Sequence, residues 1–461
     1  MKIFNTLSKQ KEDFRPMIDN QVRMYSCGPT VYMYAHIGNL RTYIFMDILR
    51  RVLKYNGFTV KHVINITDVG HLLSDSDEGE DKMVKSAREQ KKSPWEIAEY
   101  FTGVFFEDIE ALNIEKLEII CKATGHIDEM LEFVEGLVEK GFGYEISDGI
   151  YYDVSKFKGY GKLSGISLED QLAGARVEVN DEKRHPADFA LWKKAPKEHI
   201  MRWDSRWGPG YPGWHIECSA MSRKYLGDRF DIHTGGVDHI PIHHENEIAQ
   251  SEGLLGVQAV NFWVHGEFLL VDGGKMSKSL GNTYTIKDLK EKGFEPLAYR
   301  FFCFNAHYRS KLNFTWDGLR GAQVSLDKLR EGVLAHLEGS HIIDEQEINQ
   351  LKQEFLDSIN DDLNIPKAMA VVWGIVKDNR KSKQFRDLLC DFDRVLGLKL
   401  DEVADKQDDE FEPEIFDLVK ERQKAREQRN WKLADEIRDK LKDMGLVIED
   451  TPQGPKIRKG K

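Results

Sequence analysis

The stretch from Val22 to Tyr55 constrains this chain more than any other. Val22, Met24 and Tyr25 have the apolar character of a short buried strand, and Gly28-Pro29 ends it. From Leu40 to Tyr55 the apolar residues Tyr43, Phe45, Met46, Ile48, Leu49, Val52 and Leu53 recur at helical spacing. Between them lies Cys27-Gly28-Pro29-Thr30-Val31-Tyr32-Met33-Tyr34-Ala35-His36-Ile37-Gly38-Asn39. A strand that turns directly into a helix offers unpaired amides and the positive end of a dipole, which suits a phosphate. Gly38, without a side chain, lets a flat ring approach the backbone. His36 is then placed to donate to a phosphate oxygen.

A chain of 461 residues implies roughly two to four domains and an ample core. No apolar run is long enough to cross a bilayer, and Met1-Lys2-Ile3-Phe4-Asn5 has no signal-peptide core. The five cysteines are odd in number and widely spaced, which fits a reducing cytoplasm better than a disulfide framework. The net charge of −12 excludes a chain coated in positive charge but not a local patch that meets nucleic acid.

Asn5 to Met24 reads as a lead-in with an exposed charged stretch. Thr59-Val60-Lys61-His62-Val63-Ile64-Asn65-Ile66-Thr67-Asp68 reads as the second strand of a parallel sheet. Val69 to Glu80 is acidic and Gly/Ser-rich, lacks the spacing of a calcium loop, and reads as a solvated loop. Amphipathic helices are expected over Ser93–Asn113 and Ile127–Lys140, then a β-rich patch over Tyr144–Val154 and a Gly-rich segment around Gly159-Tyr160-Gly161. This middle block reads as an insertion between two halves of a nucleotide fold. The sheet is expected to resume near Phe189-Ala190-Leu191-Trp192, and helical patterns dominate beyond Leu280. Asp401 to Ile415 holds eight acidic residues against one lysine and reads as a linker. Phe416 to Lys461 has 13 Lys/Arg against 9 Asp/Glu, so a separate module facing something anionic is expected there.

Two further clusters carry chemistry. Lys275-Met276-Ser277-Lys278-Ser279, flanked by Gly273, Gly274 and Gly281, makes a cationic loop able to close on a polyphosphate. Gly213-Trp214-His215-Ile216-Glu217-Cys218, Asp231-Ile232-His233-Thr234-Gly235-Gly236-Val237-Asp238 and His243-His244-Glu245-Asn246-Glu247 crowd histidines, a cysteine and carboxylates together. His243 and Glu247 share a helix face, and with Cys218 and a remote cysteine they could close a tetrahedral zinc site. A zinc protease needs His-Glu-x-x-His, and Ile248 occupies the last position, so that reading fails. Spacing alone leaves a metal site and a hydrogen-bonded histidine cluster evenly matched.

His36-Ile37-Gly38-Asn39 followed by Lys275-Met276-Ser277-Lys278-Ser279 resembles the paired signature of class I aminoacyl-tRNA synthetases, with Asn39 where a second histidine is usual. Across nearly the whole chain the constellation resembles the cysteinyl-tRNA synthetase family. That resemblance implies an α/β fold: a Rossmann-type parallel-sheet catalytic domain with an insertion, an α-helical bundle, and a small C-terminal anticodon-binding module. The expected plan is a first catalytic half (1–120), a connective insertion (121–185), a second half with the zinc site (186–270), the lysine loop and stem-contact region (271–325), the bundle (326–400), the acidic linker (401–415) and the C-terminal module (416–461).

The same resemblance implies one Zn²⁺ per chain on Cys27, Cys218, His243 and Glu247, and Mg²⁺ with the ATP. It implies catalytic roles for His36, Asn39, Lys275 and Lys278. ATP would be bound by Pro29, Thr30, His36, Gly38, Asn39, Gly236, Asp238 and Lys278, and cysteine by Gly28, Thr67 and Trp214, with His215, His233 and His244 lining the floor. His307-Tyr308-Arg309-Ser310-Lys311-Leu312-Asn313 matches the family's stem-contact region, and Arg426, Trp431, Asp435 and Asp450 its anticodon readers. The partners implied are tRNA(Cys), ATP and L-cysteine, for a cytoplasmic monomer that binds no membrane. Direct zinc–thiolate contact would separate cysteine from serine without an editing domain. Two other readings are a cysteine:amino-sugar ligase of mycothiol synthesis, which lacks the anticodon module, and a non-catalytic RNA-binding relative.

Overall fold

A computed structural model describes residues 1–70, 82–168, 180–197, 199–277, 281–403, 413–451 and 454–459. The chain divides into two compact units, Met1–Leu398 and Lys399–Lys461. The first opens with a hairpin, β1 (Lys2–Asn5) against β2 (Gln10–Asp13), inside the expected lead-in. The strand pair escaped sequence reading because β2 is Gln-Lys-Glu-Asp and mostly exposed, so no apolar alternation marks it.

The expected strand–turn–helix follows as β3 (Gln21–Ser26) and α1 (Ile37–Tyr55), then β4 (Thr59–Ile66), paired in parallel with β3. Next come α2 (Lys82–Gln90), α3 (Pro94–Ala111), β5 (Ile119–Lys122) and α4 (Ile127–Glu139). Ser93 and Glu96 form a reciprocal cap at the start of α3, whose first residue is proline. The inserted block is an antiparallel sheet of β6 (Gly143–Ile146), β7 (Gly149–Tyr152), β8 (Phe189–Lys194) and β9 (Gly210–Pro212). Thus Phe189–Trp192 belongs to the insertion and does not resume the parallel sheet. Its apolar run reports burial, and burial does not identify the neighbouring strand.

The parallel sheet resumes after α5 (Trp214–Leu226), with β10 (Phe230–Gly236), α6 (His243–Leu255) and β11 (Val260–Gly266). Its order is β11-β10-β3-β4-β5, all parallel. From β3 the chain proceeds outward through β4 and β5, then returns to the other side with β10 and β11. The order therefore reverses between β10 and β3, and a crevice opens outside the carboxyl ends of those strands. Beyond the sheet lie β12 (Leu269–Val271), β13 (Gly274–Lys275), α7 (Ile286–Glu291), α8 (Pro296–Cys303) and β14 (Leu312–Phe314). A bundle of α9 (Trp316–Leu337), α10 (Glu345–Asn360), α11 (Ile365–Val376) and α12 (Lys383–Leu396) follows, with Phe355 stacked on Phe392 at 3.9 Å between centroids.

A buried ionic cluster ties α1 to this helical part. Asp47 on α1 accepts from Arg300 Nη2 at 2.6 Å and Arg51 Nε at 2.8 Å. Arg300 is fully buried on α8 and donates on to the carbonyls of Leu396 (2.7 Å) and Leu112 (3.1 Å). Burial pushes the Asp47 carboxyl up, but the guanidinium groups of Arg300 and Arg51 outweigh it and hold the group below its ordinary value. The second unit is built from α13 (Pro413–Glu427), α14 (Trp431–Asp443) and a hairpin of β15 (Leu446–Thr451) and β16 (Gly454–Lys459), around Ile415, Ile437, Leu441 and Leu446. Residues 71–80 of the expected solvated loop and 404–412 of the acidic linker lie outside the described residues; Val69, at that loop's start, is buried. Among the described residues no helix is long and apolar enough to cross a membrane.

Breaking a buried pair strands the remaining charge, which costs about 3–5 kcal/mol. Asp47→Ala is expected to lose that much in chemical denaturation, and a loss below about 1 kcal/mol would contradict the ionic account. Because the folded carboxyl sits low, its contribution is present above the unfolded carboxylate value and is lost as pH falls through the folded one. The difference between wild type and Asp47→Ala should therefore shrink at acid pH.

Candidate active site

The end of β3 delivers Cys27 to the switch point, where its amide donates to the Thr234 carbonyl of β10 at 3.1 Å. Gly28 follows because the chain runs against β4 there. A Cβ at this position would sit 1.5 Å from the Asn65 carbonyl oxygen, and the Gly28 amide donates to Asn65 Oδ1 at 2.7 Å. Cys218 faces Cys27 from α5, and His243 and Glu247 reach in from successive turns of α6.

Four ligand atoms from Cys27, Cys218, His243 and Glu247 lie within 4.8 Å of one another, all buried. The edges between them are 4.0 Å (Cys27 Sγ–Cys218 Sγ), 3.6 Å (Cys218 Sγ–His243 Nε2), 3.1 Å (His243 Nε2–Glu247 Oε1) and 3.9 Å (Cys27 Sγ–Glu247 Oε1). Tetrahedral ligation at ordinary Zn–S and Zn–N distances spans edges of about 3.3–3.8 Å, so the residues fit a zinc ion. A second group shares Cys27 and Glu247 and adds His233 and His244. Two thiolates in the first set make it the softer and better match to zinc.

The surrounding side chains hold these donors. His215 pairs with His243 through their Nδ1 atoms at 2.9 Å, and His233 Nε2 reaches Glu247 Oε2 at 2.8 Å. A chain runs from Thr6 Oγ1 through His265 and His244 to Cys27 Sγ, with links of 2.7, 2.7 and 3.2 Å. His215, His233 and His244, the histidines expected on the floor, each lie against a candidate ligand. Burial opposes ionisation of Cys218, but hydrogen bonds from Cys27 and His243 outweigh it and bring the thiol down to about 7. Burial, reinforced by Cys218, pushes the Cys27 thiol far up. Burial also works against the Glu247 carboxylate, and His233 and His243 overcome it and hold the group well below its ordinary range. Trp214, half-buried at the start of α5, leans on His243 at 4.7 Å between centroids.

The expected phosphate turn is a helix cap. His36 Nδ1 accepts from the Asn39 amide at 3.1 Å, while Asn39 Oδ1 accepts from the His36 amide at 3.2 Å. A neutral His36 ring therefore carries its proton on Nε2, the nitrogen turned away from the cap. Asn39, exposed at the surface, serves as the capping partner. Gly38 answers to crowding: a Cβ there would meet His36 Nδ1 at 3.0 Å and Met276 Cε at 3.6 Å, which also brings the lysine loop beside α1. In that loop Lys275 is exposed, the Ser277 amide donates to Asn282 Oδ1 at 2.8 Å, and Lys278 lies outside the described residues.

Pro29 and Thr30 pair with Thr67 across the mouth, the Thr67 amide donating to the Pro29 carbonyl at 3.0 Å. Gly236 ends β10, and the exposed Asp238 carboxylate folds over it so closely that a Cβ would lie 2.2 Å from Oδ1. His307, Tyr308 and Arg309 are engaged inside the protein: Tyr308 and Arg309 donate to the buried Asp362 carboxylate, and His307 Nε2 meets its carbonyl. In the second unit Trp431 is 58% exposed while Ile437 and Leu441 are buried, so the tryptophan is not part of that core. Asp435 pairs with Arg438 at 3.1 Å, Arg426 lies in the last turn of α13, and Asp450 on β15 is in register with Pro455. Sequence reading missed Asn65, Glu245 and His265. Glu245 was visible in the motif, but no spacing rule reveals that it accepts the amides of Gly161, Leu163 and Ser164.

A chain of the methionyl-tRNA synthetase of Mycobacterium tuberculosis, bound by methionyl-adenylate, superposes at a TM-score of 0.60 with 12% identity, over 84% of this chain and 94% of that one. The fold is thus that of the class I synthetases, and a family model described as the class I (C) tRNA synthetase catalytic domain matches residues 13–324. A second, the cysteinyl-tRNA ligase anticodon binding domain, matches residues 408–458. The cysteine–tRNA ligase of Treponema denticola is 47% identical over 480 residues, covering 98% of each chain; that of Thermococcus onnurineus is 44% identical over 481 residues, again 98% of each. The chain belongs to the cysteine–tRNA ligase family.

Overpacking at a site with no room typically costs about 1–3 kcal/mol. Gly28→Ala, which meets backbone, is expected at the upper end of that range in a denaturant titration. Wild-type stability in that variant would contradict the close approach of β3 to β4.

Proposed function

We propose that this chain charges tRNA(Cys) with L-cysteine through a cysteinyl-adenylate, using a zinc ion on Cys27, Cys218, His243 and Glu247 to select the amino acid. The observation that carries the reading is the convergence of those four donors on the switch-point crevice, with Cys27 opening the β3–α1 connection that ends in the cap formed by His36 and Asn39. Zinc held there supplies a thiophilic centre that binds a thiolate far better than a hydroxyl. Trp214 closes the pocket, and Gly28 and Thr67 border it.

ATP would lie at the amino end of α1, where Mg²⁺ accompanying it would offset the phosphate charge. Pro29, Thr30 and Gly38 leave room for the nucleotide, Gly236 and Asp238 hold the ribose, and His36 Nε2 donates to a phosphate oxygen. The cysteine carboxylate attacks the α-phosphate, pyrophosphate leaves, and Lys275 and Lys278 stabilise its departing charge. The terminal ribose hydroxyl of the tRNA then attacks the adenylate carbonyl and AMP leaves. Catalysis is positioning and charge stabilisation, with no covalent link to the enzyme. Arg426, Trp431, Asp435 and Asp450 read the anticodon, the exposed indole stacking on a base. The match to an anticodon-binding model favours this over an amino-sugar ligase.

The test is charging of bulk tRNA with labelled cysteine and, separately, serine. Cysteine-only charging that chelator pretreatment abolishes is expected. Cysteine-dependent pyrophosphate exchange without charging would point to the small-molecule ligase, and neither activity to a non-catalytic relative. Trp431→Ala should weaken tRNA by the worth of one stacked base, about 1–3 kcal/mol, in KM for tRNA, while pyrophosphate exchange stays at the wild-type rate. Loss of exchange in that variant would mean the indole serves the fold.

A further inference from the structure

Glu217 is fully buried on α5, one residue before Cys218, and neither the zinc site nor the nucleotide site uses it. Its Oε2 accepts from Thr67 Oγ1 at 2.6 Å. The Thr67 hydroxyl in turn accepts from Asn65 Nδ2 at 3.1 Å. The orientation of the Asn65 amide is fixed from outside this pair, because its Oδ1 must accept the Gly28 amide at 2.7 Å. The chain therefore runs one way: Gly28 N–H to Asn65 Oδ1, Asn65 Nδ2–H to Thr67 Oγ1, Thr67 O–H to Glu217.

Counting donors and acceptors settles what Thr67 can still do. A hydroxyl has one proton and two lone pairs. The proton is committed to Glu217 and one lone pair to Asn65, so a single acceptor site remains. An acceptor in a pocket for an amino acid suits the α-ammonium and repels the α-carboxylate. The position agrees, since the Asn65 Oδ1 that takes the Gly28 amide also lies 3.8 Å from the Cys218 sulfur, and the amide spans from the metal centre to Thr67.

We propose that Glu217 is a specificity-determining positioning residue: it orients the Thr67 hydroxyl as an acceptor, so that the pocket selects thiols bearing a free α-ammonium group. The proposal rests on the reading of the crevice as a cysteine pocket and names which thiols that pocket refuses. Deaminated and N-acylated thiols lack the matching donor and leave the Thr67 acceptor unfilled.

The experiment is calorimetric titration of the zinc-loaded full chain with L-cysteine and with 3-mercaptopropionate, which keeps the thiol and carboxylate but lacks the ammonium. Wild type is compared with Thr67→Val, Thr67→Ser and Glu217→Gln, and zinc content is measured for each. Thr67→Val and Glu217→Gln are expected to weaken L-cysteine tenfold or more, to change 3-mercaptopropionate less than twofold, and to keep full zinc. Thr67→Ser, retaining the hydroxyl, should restore L-cysteine binding to within about threefold of wild type. Equal loss of both ligands, or unchanged L-cysteine binding in Thr67→Val, overturns the ammonium assignment, and unchanged binding in Glu217→Gln overturns the role of the carboxylate. Failure of unsubstituted protein to bind L-cysteine at all would instead overturn the cysteine-pocket reading itself.

Discussion

The structure depends on keeping two thiols, an imidazole and a carboxylate together out of water. Such a cluster is costly to bury unless every member is paired or shares a cation. The donors' neighbours come from β10, α5, β11, α6 and the turn after β1, and each answers that cost. His233 holds the second oxygen of Glu247, His215 holds the far nitrogen of His243, and His265 with Thr6 holds His244 against Cys27. This shell fixes ring orientation, which is how outer partners tune a metal site. The donors lie at the sheet's switch point because there, and not along the strands, helices part enough to admit a ligand.

The signature helix connects this centre to the rest of the first unit. Its first turn is capped by His36 and Asn39 beside the crevice, and its middle is clamped by Asp47, Arg51 and Arg300. One rigid element thus runs from the His36–Asn39 cap to the helices that follow it. Asp362 does similar work at the other side, gathering the Phe4 amide, Tyr308 and Arg309 on one buried carboxylate.

Much of this was legible in the sequence, for physical reasons. The strand–turn–helix could be read because burial imposes period on β3 and α1, and His243 and Glu247 because four residues return a helix to the same face. The pairing of Cys27 with Cys218 came from family likeness, since a separation of that length carries no geometric information. Phe189–Trp192 was assigned to the wrong sheet because an apolar run does not name its partner strand. The hairpin at the start was invisible for the opposite reason, its second strand having almost no apolar face. The direction of the Gly28–Asn65–Thr67–Glu217 chain was out of reach entirely, as it exists only once β4 and α5 are brought together.

The central claim is that the crevice selects cysteine by ligating its sulfur. X-ray absorption at the zinc edge of the purified chain addresses it most directly. The account predicts a shell of two sulfur and two nitrogen or oxygen neighbours, gaining one sulfur when L-cysteine is added and none with L-serine. Absence of zinc, or a shell that L-cysteine leaves unchanged, would contradict it.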